Sequence, residues 1–234
     1  MSTARPLAVV LASGGMDSTV AAWLAAREHE LALLHASYGQ RTAARERRAF
    51  EAIADRLALP ATRRRTLDIG FLAALGGSAL TDPALPVPTD GERGEGATGL
   101  PVTYVPFRNA HLLAAAVSWA ELLGARAVVI GAVEQDGTGY PDCRADFLAA
   151  FERAVRLGTG LGARLSIEAP LVHMTKGEIV RAGMLAGAPF ELTWSCYRDE
   201  EEACGRCESC RLRLEGFREA GLVDPIPYRA GTVR

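Results

Sequence analysis

A glycine-rich turn near the N-terminus, between an apolar run and a helical pattern, constrains the fold more than any other feature. The run Leu7–Leu11 predicts a buried strand, and Ser13-Gly14-Gly15-Met16-Asp17-Ser18 follows it closely. Glycines let the backbone approach an anion, and the N-terminus of a helix favours negative charge. We expect a strand–loop–helix unit that holds phosphate, with Asp17 or Ser18 as the helix cap. An ordinary strand-to-helix turn is the alternative. The loop is not a Walker A loop, because its G-x-x-x-x-G-K-[ST] pattern does not occur.

Strand-like and helix-like patterns alternate along most of the chain. Strands are predicted at Leu7–Leu11, Leu31–His35, Thr62–Ile69, Ala127–Ile130 and Leu165–Glu168, with a strand-like stretch at Thr103–Pro106. Helices are predicted at Asp17–Arg27, Arg47–Leu57, Phe107–Leu123, Asp146–Leu157 and Thr175–Ala186. Thr175 and Glu178 have the spacing of a capping box, which supports the start of the last helix. This alternation predicts an α/β fold in which a parallel sheet carries helices on both faces and binds ligands at the carboxyl ends of its strands.

Composition narrows the class of protein. The chain has 234 residues, 49% hydrophobic residues and a formal net charge of −2, which predicts one α/β domain and argues against a dedicated nucleic-acid binder. No signal segment and no apolar run of membrane-spanning length is visible, so we expect a cytoplasmic protein without a membrane partner. The basic cluster of Arg41, Arg45, Arg47 and Arg48 is interpreted as a solvated helix face, with contacts to ATP or RNA as alternatives.

A cysteine quartet marks the C-terminal region. The spacing C-x7-C-x2-C-x2-C is formed by Cys196, Cys204, Cys207 and Cys210. Four thiolates complete a tetrahedral shell around Zn²⁺, and Gly205 permits a tight turn between two of them. Because no position stays open for water, the zinc is expected to be structural. A redox or iron–sulfur cluster is the alternative, although the proline-flanked ferredoxin pattern is missing.

These patterns divide the chain into two regions. We predict an α/β domain over residues 1–192 and a zinc-binding region over residues 193–234 that packs onto it. Residues 76–101 are rich in glycine and proline and predict a long flexible loop. Loops of this length are either functional or disordered, so an active-site flap and plain disorder both stay open.

The loop and the quartet together resemble a known family. The SGGxDS pattern is similar to the loop of the ATP pyrophosphatases, and its combination with the quartet resembles the 7-cyano-7-deazaguanine synthases of queuosine-precursor biosynthesis. The resemblance spans nearly the whole chain and implies an adenine nucleotide α-hydrolase-like fold. Further matching blocks are Tyr38-Gly39-Gln40-Arg41, Tyr104-Val105-Pro106-Phe107-Arg108-Asn109, Gly139-Tyr140-Pro141-Asp142-Cys143-Arg144, Lys176-Gly177-Glu178-Ile179 and Trp194-Ser195-Cys196-Tyr197. Thr138 stands where the family usually carries serine, which keeps the hydroxyl.

The resemblance implies a reaction and its participants. Enzymes of that family convert 7-carboxy-7-deazaguanine and ammonia to a nitrile, with ATP as co-substrate. Mg²⁺ would neutralise the charge of the departing pyrophosphate, and a homodimer is expected. Ser13, Asp17 and Ser18 are the catalytic candidates of the loop. The ATP-binding candidates are Leu11, Ala12, Ser13, Gly14, Gly15, Met16, Asp17, Ser18, Thr19, Val20 and Ala21.

Substrate-binding candidates lie at other predicted strand ends. Arg108 and Asn109 begin a helix, a placement that suits a bidentate grip on carboxylate or phosphate. Asp136 or Asp142 is expected to accept hydrogen bonds from a guanine-like base. Lys176 is expected to offset phosphate charge. The complete set of substrate candidates is Arg108, Asn109, Asp136, Tyr140, Asp142, Arg144 and Lys176. Solvated helix termini and turn caps are the alternatives for each.

Two other classes of protein compete with this reading. A tRNA-thiolating ATP pyrophosphatase shares the loop but needs reactive cysteines, and only Cys143 lies outside the quartet. A zinc-containing RNA-binding module, or an enzyme that conjugates a deazaguanine to a macromolecule, is the other alternative. The nitrile-forming chemistry needs no thiol, so Cys143 is interpreted as a buried or neighbouring thiol in a substrate-binding loop.

Overall fold

Five parallel strands form one sheet at the centre of the fold. The computed structural model describes residues 4–92, 94–96, 99–134 and 140–232. The strand order is β3-β2-β1-β4-β5. These strands are β1 (Leu7–Leu11), β2 (Glu30–Ser37), β3 (Arg64–Asp68), β4 (Ala127–Val129) and β5 (Ser166–Glu168). Since strand order reverses between β1 and β4, a crevice lies at their carboxyl ends. The predicted parallel α/β fold is confirmed.

Helices cover both faces of the sheet. They are α1 (Met16–Ala25), α2 (Ala43–Arg56), α3 (Phe71–Leu75), α4 (Arg108–Leu123), α5 (Ala145–Gly158), α6 (Lys176–Ala186) and α7 (Glu208–Glu219). The residues of β1 alternate between the two resulting cores, as strand geometry requires. Ala8 and Val10 pack with Val20 and Phe50 on one side, whereas Val9 packs with α4 and α5 on the other.

The sequence pattern predicted the cap of one helix correctly and the cap of another incorrectly. The predicted capping box at the start of α6 is confirmed, because Thr175 and Glu178 bond each other's backbone. The predicted cap of α1 is wrong. That helix begins at Met16 with Gly15 as N-cap, and no side chain of the described residues caps it. The Ser18 hydroxyl bonds the carbonyl of Gly15, and Asp17 instead pairs with a lysine.

The stretch before α4 also differs from expectation. Thr103–Pro106 was predicted to be strand-like, but these residues form turns rather than a strand. The turns end at Phe107, whose φ of 58° lies in the left-handed region. This conformation redirects the chain, so that α4 begins with Arg108 at the carboxyl edge of the sheet. The ends of β1 and β4 meet this helix start.

The first half of the 76–101 segment packs onto the body of the protein. Ala79, Leu80 and Val87 are buried. The Arg41 guanidinium donates hydrogen bonds to the carbonyls of Ala79, Asp82 and Leu85 at 2.5–2.7 Å. The expected place of Arg41 on a helix face is therefore wrong: Arg41 is exposed, but it precedes α2 and holds this segment through these hydrogen bonds.

The C-terminal region packs through α7, which lies against α6. Gly216 of α7 is required there, since a Cβ atom would meet the Lys176 backbone at 3.0 Å. Four cysteines, Trp194, Ile226 and Tyr228 form a separate buried cluster with Val87. No helix in the described part of the chain has both the length and the apolar character needed to span a membrane.

Candidate active site

A cleft opens where β1 and β4 end, at the switch point of the sheet. Its volume is about 250 Å³. Its wall combines the loop after β1, the start of α4, the residues after β4, the start of α6, the 194–197 segment and the first turns of α7. The position agrees with the general rule that open α/β sheets bind ligands outside the carboxyl ends of their strands.

The glycine-rich loop forms the floor of this cleft. Gly14 has a φ of +87°, and a Cβ atom there would lie 2.5 Å from the Glu46 carbonyl oxygen. Only glycine therefore fits. A Cβ atom at Gly131 would lie 2.8 Å from the Ser18 backbone nitrogen, so the chain after β4 also approaches the loop closely. The first-turn N–H groups of α1 have no intrahelical partners, and the loop opens them to an anion.

Two hydroxyls and an ion pair add polar groups to the loop. The Ser13 and Ser18 Oγ atoms lie 3.0 Å apart. Lys176 Nζ lies 2.8 Å from Asp17 Oδ2, and both side chains are mostly shielded from solvent. Asp17 Oδ1 is buried and accepts no hydrogen bond within the described part of the chain. This oxygen is free to accept a hard cation or a donor from a ligand.

Arg108 presents a positive charge on the opposite wall. Its Nη1 donates to Tyr38 Oη at 3.2 Å, and its guanidinium carbon lies 5.4 Å from the Tyr38 ring centroid. Within the described residues, no carboxylate pairs with it. A guanidinium stays charged at any physiological pH. The donors left over suit a carboxylate or phosphate of a ligand.

Asn109 follows on the same turn and is held from behind. The Asp142 Oδ2 atom accepts from the backbone nitrogen of Asn109 at 2.8 Å, and the Asn109 Nδ2 donates to the Asp142 carbonyl at 3.2 Å. Asn109 Nδ2 also lies 3.2 Å from Cys143 Sγ. Asp142 is thus committed to the start of α4, while Asn109 lines the cleft.

Aromatic rings form much of the remaining surface. Tyr38, Tyr140, Trp194 and Tyr197 line the cleft. Tyr140 stacks on Tyr104 with ring centroids 5.8 Å apart, and its hydroxyl lies 2.7 Å from Thr103 Oγ1. Burial raises the pKa of Tyr140 to about 12 and also raises that of Tyr197. The phenols are therefore neutral at physiological pH and offer flat apolar faces.

The four quartet cysteines converge on one point. Their Sγ atoms all lie within 4.8 Å of one another and are buried, and Cys204 and Cys210 are 3.9 Å apart. A Zn–S bond of 2.3 Å implies an S–S edge of about 3.8 Å in a tetrahedron. Backbone N–H groups of Arg198, Asp199 and Cys204 point at Cys196 Sγ. The donor set thus fits one thiophilic ion.

Comparison with known proteins identifies the family. The family model described as queuosine biosynthesis protein QueC matches residues 7–221. The chain belongs to the QueC family. It is 56% identical to a 7-cyano-7-deazaguanine synthase of Koribacter versatilis, covering 94% of this chain and 92% of that protein. It is 53% identical to one of Acidobacterium capsulatum, covering 97% and 99%. The resemblance inferred from the sequence blocks is confirmed.

Solved structures match more distantly than these QueC relatives. The U34-tRNA thiolase NcsA from Methanococcus maripaludis aligns with a TM-score of 0.49 and 10% identity, over 80% of this chain and 59% of that chain. This likeness is too weak to support an inference about activity.

Most of the residues predicted for the site of this QueC family member lie in the cleft. Those that line it are Leu11, Ala12, Ser13, Gly15, Met16, Asp17, Ser18, Arg108, Asn109, Tyr140 and Lys176. Gly14, Thr19, Val20 and Ala21 lie beneath it: Thr19 Oγ1 bonds the Gly15 carbonyl, and Val20 and Ala21 are in the core. Asp142 lies behind the wall. Arg144 is exposed before α5. Asp136 lies outside the described residues.

Sequence reasoning missed several residues of the cleft wall. Tyr38, Trp194 and Tyr197 belong to the family blocks, which was the available signal. Glu46, Glu208 and Arg213 carried no signal, because each reaches the cleft from a helix that was not predicted to line it.

Proposed function

We propose that this chain is a 7-cyano-7-deazaguanine synthase. It would convert 7-carboxy-7-deazaguanine and ammonia to 7-cyano-7-deazaguanine and release AMP and pyrophosphate from ATP. One observation carries the proposal: the glycine-rich loop and an arginine that pairs with no carboxylate among the described residues open on the same cleft. An enzyme that adenylates an acid needs both, and the curated relatives carry this name.

The chemistry explains the need for ATP. A carboxylate resists attack by an amine until its oxygen becomes part of a leaving group. The carboxylate attacks the α-phosphate, pyrophosphate departs, and an acyl-adenylate forms. Ammonia then displaces AMP to give the amide. Adenylation of the amide oxygen by a second ATP, followed by loss of AMP, yields the nitrile.

The loop would stabilise the departing pyrophosphate. The first-turn N–H groups of α1, the Ser13 and Ser18 hydroxyls and the Lys176 ammonium would surround its developing charge, and such preorganised donors need no rearrangement during reaction. Mg²⁺ would neutralise part of that charge when bound. Asp17 Oδ1, which is buried and accepts no hydrogen bond from the described residues, is a hard oxygen of the kind this ion prefers.

Arg108 would hold the acid. Its guanidinium can grip the carboxylate of the substrate, while the aromatic rings of Tyr38 and Tyr140 flank a planar base. Asn109, fixed by Asp142, would add a directed donor. Because the Asp142 carboxylate already accepts from Asn109, we propose Asp142 as a support for the wall rather than the base reader. Asp136 and Arg144 stay predictions.

Zinc in the quartet would act structurally. Cys207 is the N-cap of α7 and Cys210 lies in the first turn of that helix, whose Glu208, Ser209 and Leu212 line the cleft. A bound ion would therefore hold one wall of the cleft in place. Sulfur atoms this close fit a single ion, which favours zinc over an iron–sulfur cluster. A homodimer stays a prediction from the resemblance, and a cytoplasmic location stays a prediction from the sequence pattern.

The decisive experiment supplies purified protein with 7-carboxy-7-deazaguanine, ATP, Mg²⁺ and ammonium. Mass spectrometry should show the amide first and then the nitrile, with AMP and pyrophosphate. If a folded, zinc-loaded protein makes neither compound, the acceptor is another acid or a macromolecule such as tRNA, and the proposal is wrong.

Arg108→Gln tests the grip on the acid. Loss of a charge-assisted pair costs about 1.5–3 kcal/mol, so kcat/KM for the acid should fall roughly 10- to 100-fold, with ATP affinity unchanged. Arg126→Gln, an exposed change at the opposite end of the sheet, is the matched control. Equal kcat/KM values in both variants would remove Arg108 from substrate binding.

A further inference from the structure

Glu46 is a carboxylate of the cleft wall to which the proposed reaction has so far given no role. It lies on α2 and lines the same cleft as Asp17 and Arg108. Its Oε1 accepts from Thr42 Oγ1 and its Oε2 from Gln40 Nε2, both at 2.9 Å. Gln40 is fixed in turn, because its Oε1 accepts from the Tyr38 backbone nitrogen at 2.8 Å. The carboxylate is thus held in one orientation, and each oxygen keeps a lone pair for a ligand.

The other carboxylates that line the cleft lie in different surroundings. Asp17 is already engaged by Lys176, whose Nζ lies 2.8 Å from its Oδ2. Glu208 lies in the first turn of α7. Glu46 forms no ion pair with any described residue, and burial raises its pKa. A base whose pKa approaches the working pH accepts a proton more readily than an ion-paired carboxylate.

The proposed reaction creates a need for such a group. Ammonium carries no lone pair, so nitrogen must reach the acyl-adenylate as ammonia. Addition then leaves nitrogen with one proton too many. A carboxylate in the cleft meets both needs. It attracts ammonium electrostatically, ammonium gives its first proton to water on becoming ammonia, and the carboxylate takes up the second proton, which nitrogen loses on addition. The aromatic and apolar surroundings strengthen this attraction by excluding water.

We propose that Glu46 is the catalytic residue that accepts the proton of the attacking ammonia, an inference that rests on the proposed function. In this step the C–N bond forms and the C–O bond to AMP breaks, its electron pair leaving with the AMP phosphate. One N–H proton passes to a Glu46 carboxylate oxygen and from there to water. The acid is already adenylated at this point, so Glu46 acts after pyrophosphate has left.

Glu46→Gln tests the role without disturbing the network. Its Oε1 can accept from Gln40 Nε2, and its Nε2 can donate to the Thr42 hydroxyl, which also accepts. Glu46→Asp keeps a carboxylate but moves it back by one methylene. Glu200→Gln is the matched control. It neutralises a carboxylate that acts electrostatically on Glu46 but lies outside the cleft wall.

Two measurements separate the steps. Exchange of labelled pyrophosphate into ATP, with the acid present and ammonia absent, reports adenylation. Single-turnover amide formation reports ammonia addition. For Glu46→Gln we expect exchange within about twofold of the parent and amide formation slowed about 100-fold or more. Glu46→Asp should form amide faster than Glu46→Gln, and Glu200→Gln should match the parent in both assays.

Several results would overturn this role. Unchanged amide formation in Glu46→Gln would do so. Exchange reduced by the same factor as amide formation would place Glu46 in acid or ATP binding instead. If Glu46→Gln does not fold, Glu46→Asp decides: amide formation at the parent rate overturns the role, and selective slowing with normal exchange supports it. A parent protein without acid-dependent exchange refutes the proposed function itself, a result distinct from all of these.

Discussion

Asp224→Asn should destabilise the protein strongly, because Asp224 neutralises a buried arginine. The side chains of Arg213 and Asp224 are 1% and 0% exposed. Arg213 Nε and Nη2 donate to the two carboxylate oxygens at 2.6 and 2.8 Å. Tyr228 Oη donates to the same carboxylate at 2.7 Å. Arg213 also donates to Thr193 Oγ1 at 2.6 Å, so the pair anchors the segment that leads into the cleft.

The magnitude follows from what the variant leaves behind. Asparagine keeps the shape of the aspartate side chain but leaves the Arg213 guanidinium buried without a counter-charge. Its amide N–H group also faces the donors of Arg213 and Tyr228 that bonded the carboxylate. Removing one partner of a buried pair costs about 3–5 kcal/mol. In a protein of this size each kcal/mol lowers the thermal midpoint by about 2–4 °C, so we expect a loss of about 6–20 °C.

Thermal unfolding followed by circular dichroism measures the effect against a matched variant. Asp90→Asn makes the same chemical change in a bidentate pair with Arg206, whose two side chains are 51% and 65% exposed. Exposed pairs contribute little, so its midpoint should equal that of the parent protein. The double variant Arg213→Met/Asp224→Leu should recover much of the loss, because no charge stays buried. If Asp224→Asn lowered the midpoint no more than Asp90→Asn, burial would not make the Arg213–Asp224 pair more important for stability than an exposed pair.

Two further predictions concern the cysteine quartet and a buried histidine. Cys207→Ser should reduce bound zinc from about one ion per chain to nearly none and lower the thermal midpoint, since structural zinc contributes directly to folding; elemental analysis measures the metal. His35 is 1% exposed and donates from Nδ1 to the Ala12 carbonyl, and burial lowers its pKa. Because the folded state resists protonation of this ring, the free energy of unfolding should fall as pH drops below about 6.5, by at most about 1.4 kcal/mol per pH unit from this group; urea titrations at several pH values measure it.

The zinc prediction and the histidine prediction each have a control variant. Cys143→Ser changes the cysteine outside the quartet and should keep the zinc; equal metal loss in both serine variants would contradict the assignment of ligands. His35→Asn keeps an N–H donor near the Ala12 carbonyl but does not titrate in this range. Its unfolding free energy should therefore depend less on pH below 6.5 than that of the parent, and identical slopes would show that other groups cause the dependence.

Local patterns in the sequence determined the fold class, the glycine-rich loop and the cysteine quartet. Apolar runs and helical periodicity indicate which faces of the strands and helices are buried. The positive φ of Gly14 and the short spacing of the cysteines are both requirements on the backbone over a few residues. The capping box of Thr175 is a contact across three residues, and it too was visible in advance. The prediction failed for the cap of α1, because Asp17 pairs with the distant Lys176 instead of capping the helix.

Only the tertiary structure decided which polar groups serve the cleft and which support it. Lys176 meets Asp17 across 159 positions of sequence. Asp142 turns from the cleft to Asn109, Arg41 turns to the 79–85 carbonyls, and Glu46 enters the wall from a helix rich in arginine. A polar side chain bonds whichever partner the packing brings near, and burial then sets its protonation. Both depend on contacts between distant segments, which no local pattern in the chain records.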